Sequence, residues 1–156
     1  MAQFSQIRPA LLSDLPELLT LGEKYCDADN APWDAQRARR AFAPLLMDDI
    51  HGVVLVVQAD QRLVGYAVVT WGWSIEAGGR EALLDEMYVD QPGLGHGSAL
   101  VEAVMAAAET VGASRVFLET EASSESAREF WLRRGFVVED SVWLQRRCSS
   151  DSSTVV

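Results

Sequence analysis

The sequence predicts a mixed α/β protein: a mostly antiparallel central sheet with flanking helices. Three observations predict it. The middle of the chain, residues 52–89, holds three β-branched runs separated by short turns, the signature of antiparallel hairpins. Segments with helical spacing of apolar residues lie on both sides of it. The 156 residues contain no linker and no internal repeat, so they fit one domain with a core of its own.

The elements follow in order. "FSQIRPA" reads as a first strand. Asp14, with Glu17 three residues on, reads as a capping box opening the helix "LPELLTLGEKYC", whose apolar face is Leu15, Leu18, Leu19 and Gly22. "DADNAP", 27–32, is a loop, and "WDAQRARRAFAPLLMDD" is a second helix interrupted near Pro44. Strands 52–59 and 63–74 flank the turn "DQR"; "EAGGR" turns into a third strand, 81–89. From Ser98 the residues Leu100, Val101, Val104, Met105, Ala108 and Val111 recur at helical spacing, and Gly112 stops the helix. "RVFLET", 115–120, is a strand, and "SSESAREFWLRR" is a helix stopped by Gly135. "FVVED" and "SVWLQR" read as the last strands. The order is β-α-α-β-β-β-α-β-α-β-β in a single domain, 1–147, with a disordered tail over 148–156.

Composition narrows the function. Thirteen Lys and Arg against 23 Asp and Glu give a formal charge of −10, which lacks the basic footprint of a nucleic-acid surface and either admits a cationic ligand or serves solubility alone. No apolar run approaches a membrane span, and the N-terminus has no signal-peptide pattern, so a cytoplasmic location without membrane association is expected. Cys26 and Cys148 show no CxxC spacing, and His51 and His96 have no ligand-spaced partner, so neither a disulfide framework nor a metal site is expected.

The segment "YVDQPGLGHGSAL" hands a strand over to a helix with glycines at 93, 95 and 97. Backbone amides at a helix start bind anions, and glycines let a phosphate approach. Two ligand classes fit. Gly93-x-Gly95-x-x-Ser98 nearly matches a dinucleotide fingerprint, with Glu119 and Glu121 where a ribose-binding acid would lie. Against it, antiparallel strands precede the loop, and the residues after it cannot hold a second mononucleotide half. The other class is the pyrophosphate of coenzyme A.

The second class agrees with a family resemblance. The chain resembles the GNAT superfamily of N-acetyltransferases from Phe4 to about Arg147 in element order. Gly95 and Gly97 match the last positions of that family's [QR]-x-x-G-x-[GA] loop. Ala127, Gly135 and Phe136 match its second signature, N-x-x-A-x-x-x-Y-x-x-x-G-F, and "WSIEAGGREALLDEMYV" resembles its third-to-fourth-strand stretch. There are departures. Pro92 stands at the Gln/Arg position, with Gln91 one residue early and the loop about two residues short; Ser124 stands for the asparagine and Trp131 for the tyrosine.

The resemblance implies an acetyl-CoA-dependent enzyme that acetylates a primary amine, with homodimers expected. Met87, Tyr88 and Val89 would offer backbone groups to the pantetheine. The amides of Gly93, Leu94, Gly95, His96, Gly97 and Ser98 would hold the pyrophosphate, and Ser124, Ala127 and Trp131 would lie against the cofactor. Asp85 and Glu86 fall where polyamine-acetylating members carry paired carboxylates. Strand alternation groups Leu83, Asp85, Met87 and Val89 on one face and Leu84, Glu86 and Tyr88 on the other. Asp85 is favoured as the base that frees the amine, with Glu86 toward substrate or helix. A plain salt-bridge or solvent role for both weighs equally.

The tyrosine position protonates the leaving sulfur in many members. An indole N–H has no useful acidity, so Trp131 is read first as packing. Water, Tyr88 or unaided departure of the thiolate then remains for that step. Trp71 and Trp73 share one strand face and suit either a cationic acceptor or the core. Asp27, Asp29 and Trp33 fall in the region that borders the acceptor in the resembling family. A non-catalytic acyl-CoA-binding module with the same fold is the rival reading, kept open by Pro92 and Trp131.

Overall fold

The computed structural model describes residues 5–148. They form two compact units, one ending at Glu121 and one beginning at Ala122. The tail expected over 148–156 lies outside the described residues except for Cys148.

In the first unit, strand β1 (Ser5–Pro9) leads through a 3-10 turn (Leu12–Asp14) into helix α1 (Leu15–Ala28) and helix α2 (Ala35–Met47). Strands β2 (Gly52–Ala59), β3 (Arg62–Ser74) and β4 (Gly79–Val89) follow, then helix α3 (His96–Thr110) and the two-residue strand β5 (Val116–Phe117). The sheet order is β1-β2-β3-β4-β5. Every pairing is antiparallel except the parallel β4–β5 pair. The fold class read from the sequence is the one observed.

The capping box read at Asp14 takes another form. Asp14 does not cap α1; its carboxylate accepts from the Leu11 amide at 2.7 Å and from the two terminal Arg8 guanidinium nitrogens at 2.7 and 3.0 Å. Arg8 holds the carboxyl below its ordinary range. Glu17 reaches out of the helix to accept from the Leu63 amide at 2.8 Å. Both acids join separate elements instead of ending one helix. At α2 the capping residue is Asp34, whose side chain accepts from the Arg37 amide at 3.0 Å. Pro44 lies inside α2, which continues for three residues beyond it.

The turn between β2 and β3 has Asp60 and Gln61 at φ 48° and 65°, the two left-handed residues of a type I′ hairpin. Each sheet face buries its own core. On one face α1 and α2 cover Val54, Val56, Tyr66 and Val68 with Leu15, Leu18, Leu21 and Phe42. The alternate residues Leu55, Val57, Ala67 and Val69 are also buried, as are Leu100, Val101, Val104 and Ala108 of α3, which packs on β2, β3 and β4. A chain of this length can thus cover a sheet from both sides.

One irregularity matters for function. Val68 pairs with Glu86 but the next residue, Val69, pairs with Leu84. Asp85 is therefore an extra residue, a β-bulge. The bulge corrects the alternation expected across 83–89. Glu86 and Tyr88 share the α1/α2 face with Val68 and Tyr66, whereas Leu84 lies opposite Val69 on the other face. β5 also ends early: it pairs with β4 only at Ala82 and Leu83, not over the six residues expected at 115–120. A parallel partner cannot follow a strand past a bulge that shifts its hydrogen-bonding edge.

The second unit contains helix α4 (Glu125–Leu132). Gly135, at φ 84°, closes it, and the Phe136 amide donates back to the Trp131 carbonyl at 3.2 Å. Among the described residues this unit holds no strand, which corrects the two strands expected over 136–140 and 141–146. Val137, Val138, Val142 and Leu144 are exposed there. Strand propensity in "FVVED" and "SVWLQR" favours an extended chain, but a strand exists only with a ladder partner. Among the described residues no helix is long and apolar enough to cross a membrane.

Candidate functional site

The glycine loop joins β4 to α3. Gly93 and Gly95 have φ of 93° and 82°, and a Cβ at either would meet nothing within 4 Å. Backbone conformation, not crowding, calls for glycine at these two positions. Gly95 is the N-cap of α3 and brings no capping side chain, so the first-turn amides of the helix receive no bond from that residue. The Ala99 amide closes the first turn onto the Gly95 carbonyl at 3.0 Å. His96 is buried at the helix start, Gly97 and Ser98 lie in the first turn, and Leu94 is exposed. Pro92 contributes no amide.

Next to this loop, Met87, Tyr88 and Val89 pair with Ala67, Tyr66 and Gly65 of β3. On its other edge β4 has no strand partner beyond Leu83 among the described residues. That edge presents backbone N–H and C=O groups to anything extended that lies along it.

The carboxylates divide sharply. Asp85, at the bulge, is exposed. Glu86 is half-buried and accepts a hydrogen bond from the Tyr66 hydroxyl, on a side chain with no exposed surface. Burial pushes the Glu86 carboxyl above its ordinary range; the Tyr66 bond pulls it back in part, and the charges of Asp85 and Asp29 push it further up. Burial likewise raises the Tyr25 phenol to about 12, with the charges of Asp29 and Glu86 adding to it. The Cys26 thiol is raised too, mainly by burial and then by Glu86, with Arg37 opposing. A Cβ at Gly22 would lie 3.0 Å from the Trp33 ring and 3.8 Å from the Tyr66 hydroxyl, so the indole rests on α1 beside that hydroxyl. The Tyr25 and Tyr88 rings meet edge-on at 6.4 Å, and the Tyr66 and Tyr88 rings lie 6.5 Å apart.

The structure thus gathers Glu86, Asp29 and Trp33 with Tyr66, Tyr25 and Tyr88 on the α1/α2 face. Asp27 is exposed at the end of α1. Trp71 and Trp73 do not join them. They face Ala82 and Arg80 across the ladder, on the opposite side of the sheet from Glu86. The Trp71 indole donates to the Asp49 carbonyl at 2.9 Å, and Trp73 is largely exposed. The two-residue spacing sets their common face but not which face it is, and the ladder puts that face away from Glu86.

Sequence reasoning missed Tyr66 and Tyr25. One signal was available for Tyr66: a single phenol in the apolar run "LVGYAVV", whose buried hydroxyl needs a partner. In the second unit, Ser124 is the N-cap of α4, and Ala127 and Trp131 lie four residues apart on it. The Trp131 ring meets Phe130 at 4.9 Å and Phe136 at 5.4 Å, both edge-on.

The model of the acetyltransferase (GNAT) family matches residues 17–136, most of the chain. The chain belongs to the GNAT acetyltransferase family. Two similar curated relatives are uncharacterized N-acetyltransferases of Mycobacterium bovis and Mycobacterium tuberculosis, each 31% identical over 107 residues, which span 67% of this chain and 65% of theirs. The match therefore covers just under two thirds of those relatives' length.

Solved structures share the fold. An integron cassette protein from a salt-marsh metagenome superposes with a TM-score of 0.82 at 26% identity, covering 92% of this chain and 91% of that one. A possible acetyltransferase from Clostridium difficile gives 0.83 at 17%, covering 93% and 98%. An aminoglycoside N-acetyltransferase, AAC(6')-Iy, solved in complex with CoA, gives 0.82 at 15%, covering 96% and 98%. The dinucleotide reading of the glycine loop falls with this assignment, since the sheet has one parallel pair and no doubly wound half. The GNAT family uses acetyl-CoA, and two features of this chain fit such a ligand: left-handed glycines with open space over them, and a β4 edge leading to them that has no strand partner beyond Leu83 among the described residues.

Proposed function

We propose that this GNAT member is an acetyl-CoA-dependent N-acetyltransferase. A primary amine of a small-molecule or peptide acceptor would attack the thioester carbonyl directly, forming the amide bond as the carbon–sulfur bond breaks and the coenzyme A thiol leaves. The observation that carries the reading is the Asp85 bulge. It turns Glu86, with a raised pKa, onto the α1/α2 face where β5 leaves β4, immediately before the glycine loop. Both units are read as parts of one domain, 1–147, in a cytoplasmic homodimer.

Acetyl-CoA, as co-substrate, supplies a thioester acyl group. The backbone edge of Met87, Tyr88 and Val89 would bind its amide-bearing arm. The amides of Gly93, Leu94, Gly95, His96, Gly97 and Ser98 would hold the pyrophosphate. Ser124, Ala127 and Trp131 are assigned to the same ligand by the family motif alone. An acceptor ammonium, at about 10.4, must lose a proton before its nitrogen can attack. Glu86 is better suited to take that proton than Asp85, because burial raises its affinity for it while Asp85 sits in solvent. Asp85, Asp27 and Asp29 would favour a cationic acceptor by their charge, and the faces of Trp33, Tyr25 and Tyr88 would pack against its carbon chain or rings. Trp71 and Trp73 have no part in this site.

The acceptor is read as a cationic or polyhydroxylated amine. Among the structural neighbours, one is named as an aminoglycoside N-acetyltransferase and another was solved with sisomicin. Aminoglycosides therefore belong beside polyamines, amino acids and peptide N-termini in an acceptor screen. Release of free coenzyme A thiol, measured with acetyl-CoA and each amine, tests the reading. Turnover with at least one amine that Glu86→Gln lowers by about a hundredfold or more near neutral pH would support it. Tight binding of acetyl-CoA without turnover across the panel would point to a non-catalytic binding module instead.

A further inference from the structure

Tyr66 carries the hydroxyl of the buried run Gly65–Val69 of β3, and its ring is fixed from three sides. Phe42 of α2 meets it edge-on at 5.9 Å, Tyr88 lies 6.5 Å away across the ladder, and Leu18 and Leu21 of α1 complete its enclosure. A phenol so enclosed has little rotational freedom, so its hydroxyl points to one place. That place is the Oε1 of Glu86.

We propose that Tyr66 is a positioning residue: its hydroxyl orients the Glu86 carboxylate toward the acceptor amine and sets the pH at which that carboxylate can take a proton. The inference rests on Glu86 being the base. Tyr66 itself is not a proton donor in the reaction, since burial and the neighbouring Glu86 charge drive its own ionisation far above physiological pH. Its role is to stabilise the ionised form of Glu86. Around that carboxylate stand Tyr25 and Cys26 of α1, Asp29 after α1, and Asp85 on β4, with Arg37 of α2 acting on Cys26. The groups acting directly on Glu86 are neutral or negative, so the Tyr66 hydroxyl is the group among them that favours its charge.

The test is Tyr66→Phe, which removes one oxygen and keeps the ring packing. Proteins labelled with 13C at the glutamate carboxyl, with Glu86→Gln to assign the resonance, give the Glu86 titration directly by NMR. The midpoint should move up by about half a pH unit or more in Tyr66→Phe. The acidic limb of the kcat/KM profile should move up with it, so that the loss of rate is large at low pH and shrinks as pH rises. An unmoved midpoint overturns the proposal. So does a uniform fall in rate across all pH, which is what a merely structural phenol would give. If the parent acetylates no amine, the functional reading fails separately, and the NMR midpoint still decides whether Tyr66 controls Glu86. A melting curve for Tyr66→Phe checks that both titrations report a folded protein.

Discussion

Asp85 and Glu86 are adjacent on one strand, yet one carboxylate lies in solvent and the other sits half-buried under the Tyr66 hydroxyl. Their roles should separate accordingly. Glu86→Gln should lower kcat by about a hundredfold or more near neutral pH, the usual contribution of a general base. Asp85→Asn should lower it by less than about tenfold, through charge alone. The Glu86→Gln deficit should narrow at alkaline pH, where the amine loses its proton unaided. Steady-state kinetics of both variants check this; the reverse order would move the base to Asp85.

Glu86 also links pH to stability. Its folded pKa is raised above the ordinary 4.5, so the fold favours the protonated form. The stabilisation this gives is complete below the unfolded value and is lost as pH rises through the folded one. Glu86→Gln, which cannot ionise, should therefore melt at a higher temperature than the parent at about pH 8 and at nearly the same temperature at about pH 4. Thermal melts across that range give the answer. A parent that gains on the variant with rising pH would contradict the burial argument.

The loop before α3 makes two separable demands on Gly95. Its left-handed φ means that Gly95→Ala should cost about 1–2 kcal/mol of stability, although a Cβ there touches nothing. Gly95→Asp adds a negative charge at the helix start and should weaken coenzyme A binding by about tenfold or more beyond the effect of alanine. Calorimetric titration with coenzyme A on both variants separates strain from charge. Equal affinities for the two would remove the loop from the binding site.

Trp131 is packed edge-on by Phe130 and Phe136, and its N–H cannot supply a proton at neutral pH. Trp131→Tyr should preserve or raise turnover per folded molecule while lowering stability by about 1–3 kcal/mol. Melting temperature and kcat measured together test this. A stable variant with turnover down by about a hundredfold would give the indole a role in the reaction.

What the residue pattern made legible follows physical lines. The β2–β3 hairpin was readable because two β-branched runs bracket a short polar turn, and short hairpins have few geometries. The glycine loop was readable because left-handed backbone leaves few residue choices at 93 and 95. The bulge at Asp85 was not. No residue type announces an extra position in a strand, and one such residue puts Glu86 and Leu84 on opposite faces where period-two counting puts them on one. Glu17 misled for a related reason: three residues after Asp14 it fits a cap, and only the tertiary fold brings Leu63 to it. The stretch 136–146 shows the limit of propensity, since alternation describes a chain that could pair and says nothing of its partner.

The hairpin tip between β2 and β3 offers an engineering handle. Asp60 and Gln61 both adopt a left-handed backbone that side-chain-bearing residues rarely take. The strand pairing on either side holds them there, so the turn carries conformational strain unconnected with the chemistry of Glu86. Gln61→Gly would place the residue that this turn type prefers at its second position. That exchange should raise the melting temperature while leaving kcat/KM untouched. It would give a sturdier parent in which destabilising variants such as Trp131→Tyr could be made and still studied as folded protein.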